Sequence, residues 1–211
     1  MNGRDLTLGL VGALALGAVV RRPAGSRALH APPEVLEEAQ SMVRWFRPQA
    51  QKWNRQDREE GREEYIGLDD MGVGVPSRLG SLRAHFGDRL LGHGVFRVVI
   101  ASSDPRFVIK LAMRPSDNLD EAAFWTDAGP KTRALLVPVV AVDPEGYWLV
   151  MERVEPLPWE PEDHPDIRAV YQRAKGVGLF DIHANNLSSD LRILDYAEPV
   201  SSRGTPNRRR A

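Results

Sequence analysis

Apolar and polar positions follow three rhythms along this chain. Leu6 to Val20 is a largely apolar stretch of fifteen residues, rich in Gly and Ala and closed by Arg21-Arg22. A membrane-spanning helix takes about 20 residues, so this run is short for the task. Three readings stand for it: a membrane anchor with the Arg-rich end on the inner side, a helix packed in protein, and a signal peptide. Pro23 to Pro33 reads as a linker. A helical rhythm then begins, with Leu36, Ala39, Val43 and Phe46 on one face from Glu34 to about Gln49 and acids in the first turn. Gln51 to Glu64 is dense in alternating charge and shows no apolar stripe, which predicts a solvated helix or loop.

The third rhythm starts near Arg78 and consists of short apolar runs divided by turn residues. Arg89 to Leu91 leads into Gly92-His93-Gly94, followed by a strand from Val95 to Ala101. Ser102-Ser103-Asp104-Pro105 is a turn by its chemistry, and Arg106 to Met113 is the next strand. Pro115-Ser116-Asp117-Asn118 predicts a helix start, with Ser116 or Asp117 as cap. That helix runs to about Ala128, presents Leu119, Ala122, Ala123 and Trp125 for packing, and stops at Gly129-Pro130. Ala134–Val142 and Tyr147–Met151 read as two strands around the turn Asp143-Pro144-Glu145-Gly146. Pro165 to Lys175 is a short helix ended by Gly176.

Composition narrows the function classes. The 211 residues suffice for one or two small domains with a real core. A formal net charge of -1 gives no global field toward nucleic acid. The absence of cysteine excludes disulfides, thiolate zinc sites and cysteine nucleophiles. Of the 28 cationic residues only four are lysine: Lys52, Lys110, Lys131 and Lys175. One of the four lies inside the apolar run Phe107-Val108-Ile109-Lys110-Leu111-Ala112-Met113. Burying an ammonium there costs several kcal/mol unless it is paired. A compact point charge suits a phosphate-facing role.

Chemistry-bearing residues fall in a telling order. A glycine-containing hairpin at Gly92 and Gly94 lets backbone approach phosphate without an intervening side chain. Lys110 follows one strand later, and Glu121, eleven residues on, is the acid to pair with it. Glu152-Arg153-Val154 follows the last strand. The segment Asp181-Ile182-His183-Ala184-Asn185-Asn186, then Ile193-Leu194-Asp195, supplies two carboxylates and an amide oxygen, a donor set suited to Mg²⁺ on nucleotide phosphates.

These residues resemble the protein-kinase-like superfamily over roughly Gly87 to Pro199, in a reduced form similar to small kinase-like proteins of phages and bacteria. The resemblance implies an α+β fold with a five-stranded antiparallel N-lobe sheet, one helix, and a truncated, mainly helical C-lobe. It implies that Gly92 and Gly94 form the nucleotide loop, that Lys110 holds the α/β-phosphates, and that Glu121 positions it. By the same resemblance Asp181 is the catalytic acid, Asn186 and Asp195 bind Mg²⁺, and Glu152 and Val154 face ATP. His183, two residues after Asp181, resembles the aminoglycoside-phosphotransferase branch.

Departures from the family pattern matter as much. Arg97 stands where the third loop glycine would be, Leu179-Phe180 replaces the usual His-Arg pair, and Tyr196-Ala197 replaces Phe-Gly. Sixteen residues follow Asp195, too few for a peptide-binding platform. The expected organisation is an apolar segment at 1–22, a linker and charge-rich helical extension at 23–77, an N-lobe at 78–154, a minimal C-lobe at 155–200 and a basic tail at 201–211. The implied activity is ATP- and Mg²⁺-dependent phosphate transfer to a protein Ser/Thr or a small-molecule hydroxyl. The alternatives are a pseudokinase acting as a nucleotide-binding or scaffold module, and a membrane-tethered structural protein. The implied location is cytoplasmic, with membrane contact through residues 6–20.

Overall fold

The computed structural model of the protein describes residues 18–19, 30–59, 68, 78–158, 164–180 and 182–196. Strands β1 (Ala18–Val19), β2 (Leu90–His93), β3 (Arg97–Ala101), β4 (Phe107–Ala112), β5 (Val139–Val142) and β6 (Trp148–Glu152) form one antiparallel sheet in the order β1-β5-β6-β4-β3-β2. Helices α1 (Pro33–Glu59), α2 (Arg78–Phe86), α3 (Pro115–Asp127), α4 (Pro130–Arg133) and α5 (Pro165–Gly176) complete an α+β fold. Five of the strands are those expected from the short apolar runs. The sixth, β1, is a two-residue edge, Ala18 opposite Val142 and Val19 opposite Ala141. It is the only described part of the apolar run Leu6–Val20; the rest of that run, and the tail at 201–211, lie outside the described residues. No helix among the described residues is long and apolar enough to cross a membrane.

Both faces of the sheet are covered, which is why β4 reads as a continuous apolar run rather than an alternating one. Successive side chains on a strand point to opposite faces. Phe107, Ile109 and Leu111 accordingly pack with Ile100, Trp148 and Val150 against α1. Val108 lies with Leu149 and Met151 on the other face, over α3, α5 and the segment Leu187–Tyr196. Lys110 shares that second face by alternation, opposite Val99 in β3 and Leu149 in β6.

The helix predicted to end near Gln49 continues to Glu59, with Pro48 inside it. Its buried positions are Val35, Ala39, Met42, Phe46, Ala50 and Trp53, spaced three or four apart throughout. One apolar residue per turn holds a helix on a core even where its neighbours are charged, so Ala50 and Trp53 carry the face into the segment that seemed to have none. Leu36 and Val43, expected at its centre, are only partly buried at its margin. The far end is tied to α2 by Arg78, which donates to Asp57 Oδ2 at 3.0 Å, and Trp45 stacks on His85 with ring centroids 3.8 Å apart. Phe46 is fully buried among sheet side chains. Phe46→Ala should therefore cost about 3–5 kcal/mol, read as a lower urea midpoint with an unchanged m-value.

Helix α3 also departs from expectation. Pro115 takes its first position, Arg114 precedes it without a side-chain capping bond, and Ser116 and Asp117 lie inside the first turn. Its buried residues are Asn118, Glu121, Ala122 and Trp125, while Leu119 and Ala123 point outward. Ala122 and Trp125 are buried as expected, and Asn118 and Glu121 take the inward positions expected of Leu119 and Ala123.

Candidate functional site

Two strands and one helix build a buried charge cluster. Lys110 is 5% exposed and Glu121 is fully buried. The Lys110 ammonium donates to both Glu121 oxygens, at 2.9 and 3.1 Å, and to the Leu194 carbonyl at 2.6 Å. A buried cation needs such pairing to avoid an uncompensated desolvation cost. The β3–β4 register sets Val99 opposite Lys110, so Arg97, two residues along β3, projects from the same face. Its guanidinium donates to Glu121 Oε2 and to Asp195 Oδ1. Burial works against the charge on Arg97, but Glu121 and Asp195 outweigh it and hold the guanidinium above its ordinary pKa. Burial, reinforced by the Asp195 charge, pushes the nearby Asp117 carboxyl up against the opposing pull of Arg97 and Arg114.

The floor beneath this cluster is a short stretch of chain held by backbone bonds. The Val137 N–H donates to the Ile193 carbonyl at 3.0 Å, and the Ile193 N–H donates to Leu135 at 2.8 Å. Leu194 donates to the Asn186 carbonyl at 2.7 Å, and Asn186 donates to that of His183 at 2.8 Å, joining the two loops that carry Asn186 and Asp195. Tyr196 is buried and gives its hydroxyl to the Val137 carbonyl at 2.9 Å. Burial raises its pKa well above the ordinary value, with Glu121 and Asp195 adding to the effect. The hydroxyl therefore stays a donor and anchors the residue next to Asp195.

A cleft of about 370 Å³ opens beside these groups, within the range of small-molecule sites. Gly92, His93 and Gly94 line one edge, and Val99, Val108, Val137 and Met151 give it an apolar interior. Glu152 to Pro156 form its back, and Lys110, Asn186 and Asp195 its polar end. A Cβ added at Gly92 or Gly94 would meet nothing within 4 Å, so both glycines leave open space. The Gly94 N–H closes its own turn on the Arg97 carbonyl at 2.8 Å. The Glu152 side chain receives Arg192 at 3.0 Å and its N–H donates to Pro138 at 3.1 Å. Val154, by contrast, has no backbone partner for its N–H or carbonyl among the described residues.

The structure thus brings Gly92, Gly94, Lys110, Glu152, Val154, Asn186 and Asp195 to one cleft, with Glu121 behind Lys110. Asp181 lies outside the described residues. Sequence reasoning noted Arg97 only as a missing glycine. Its signal was strand alternation, which places it on the inward face with Val99. Asn118 was taken for part of a helix start; it is fully buried and donates to the Gly146 carbonyl at 2.9 Å.

The arrangement does not fit a divalent cation at the expected pair of donors. The Asp195 carboxylate carries the Arg97 guanidinium on Oδ1, so a metal ion on its other oxygen would sit beside a fixed positive charge and repel it. Comparison with protein-family models, with curated proteins and with solved structures finds no match for this chain.

Proposed function

We propose that the cleft binds ATP and that the protein is a kinase-like phosphotransferase acting on a protein Ser/Thr or a small-molecule hydroxyl. The observation that carries this reading is that one cleft is lined by Gly92, Gly94, Lys110, Val154, Asn186 and Asp195, drawn from segments as far apart as Gly92 and Asp195. The adenine would lie among Val99, Val108 and Met151, with its edge on the Val154 backbone. The phosphates would run past Gly92 and Gly94 toward Lys110, which its ion pair with Glu121 holds in place. In the transfer step the acceptor oxygen bonds the γ-phosphorus, the bridging bond to the β-phosphate breaks, ADP leaves, and the hydroxyl proton passes to Asp181. Positioning and charge neutralisation are the levers of such a reaction.

A second reading, a nucleotide-binding module without turnover, is favoured by one observation: the ion pair between Arg97 and Asp195. Thermal melts and turnover separate the cases. ATP at a hundred times its Kd should stabilise the full chain by about 2.7 kcal/mol, or about 5–10 °C. Gly92→Tyr, at a position with open space around it, should melt near the parent without ligand and lose the ATP shift. A parent that melts at one temperature with and without ATP would end the nucleotide reading. ADP release by the parent that stops in Asp181→Asn supports the enzyme. Binding without ADP release supports the module.

A further inference from the structure

The arginine that replaces the third loop glycine is built into the site rather than merely tolerated by it. Arg97 is 8% exposed, lies between carboxylates from two separate segments, and shares Glu121 with Lys110. Lys110, Arg97, Glu121 and Asp195 together carry two positive and two negative charges, with Asp117 and Arg114 as a further opposed pair nearby. A guanidinium holds its charge at any ordinary pH and offers five N–H donors in a planar fork, the geometry that suits carboxylate and phosphate oxygens. Asp195, the carboxylate expected to need a metal, already has its counter-charge.

We propose that Arg97 stands in for the divalent cation, so that this cleft takes a nucleoside triphosphate without metal. The inference rests on the nucleotide reading above and deepens it. Arg97 acts here as a positioning residue: it does not line the cleft itself but neutralises Asp195, which does and would otherwise repel the phosphate chain. A residue with a purely structural role would affect stability without altering the response to metal.

The test is ATP affinity of the full chain, measured calorimetrically in EDTA and again in millimolar Mg²⁺. The parent should bind with affinities within about twofold of each other in the two buffers. Arg97→Ala, which removes this counter-charge from Asp195, should bind ATP at least tenfold more tightly with Mg²⁺ than with EDTA. Arg97→Lys retains one charge in the cluster, should remain folded if the alanine variant does not, and should show a smaller metal dependence than alanine. ATP binding by the parent that requires Mg²⁺ overturns this inference and leaves the nucleotide reading standing. Folded variants whose affinity ignores Mg²⁺ as the parent's does overturn it equally. Absence of ATP binding in both buffers overturns the nucleotide reading and this inference with it.

Discussion

Replacing Glu121 by alanine should lower folding stability by about 3–5 kcal/mol, as much as emptying the core at Phe46. Glu121 is fully buried and receives Lys110 at 2.9 Å as well as Arg97. Its removal leaves two buried cations that share, among the described residues, the Asp195 carboxylate on Arg97 and the Leu194 carbonyl on Lys110. Uncompensated charge in a low-dielectric interior is far more costly than the contact it once made. Single domains are stable by about 5–15 kcal/mol, so the variant should be close to unfolding at body temperature. Glu121→Gln keeps the shape and should recover little, because the missing element is charge. Urea titration of parent and variants provides the measurement. A loss under about 1 kcal/mol, the range of exposed ion pairs, would mean that the cluster is wet and its description wrong.

Gly146→Ala should destabilise by about 2–5 kcal/mol, combining a left-handed backbone cost with overpacking. Gly146 closes the turn between β5 and β6 at φ +83°, its N–H bonded to the Asp143 carbonyl at 2.8 Å. A Cβ there would stand 2.2 Å from the Pro115 carbonyl oxygen, a backbone atom at the start of α3. No side-chain rotation relieves that contact, so either the turn or the helix must move. Asn118 bonds the same turn through the Gly146 carbonyl, and α3 carries Glu121 two residues before Ala123. The substitution should therefore weaken ATP binding as well as melting temperature, although it lies outside the cleft. A variant that melts like the parent would show that the turn and α3 are not in contact.

What the sequence disclosed about the site came mainly from residues that broke a local rule. Lys110 was conspicuous because lysine is scarce here and an ammonium does not belong in an apolar strand without a partner. The structure supplies that partner in Glu121. The five short strands were legible from their spacing. Arg97 was not, because arginine is the ordinary cation of this chain and its partner Asp195 lies 98 residues away. A sequence read locally shows which face of a strand a side chain takes, but not what another segment brings to that face. The face of α3 was legible in part: Ala122, Trp125 and the pairing of Glu121 with Lys110 were expected, while apolar counting put Leu119 inward where Asn118 lies. Trp53 was lost among charges in a segment judged by average polarity, although a helix meets the core with about one residue per turn.

Helix α1 supplies no lining to the cleft, yet it determines how small a working fragment can be. A truncated chain starting at Arg78 would keep Gly92, Lys110 and Asp195 while stripping the cover from Ile100, Phe107, Ile109 and Trp148. Such a fragment would present a greasy plate to solvent and stick to its own kind. Any minimal version intended for crystallisation or screening has to begin ahead of Pro33.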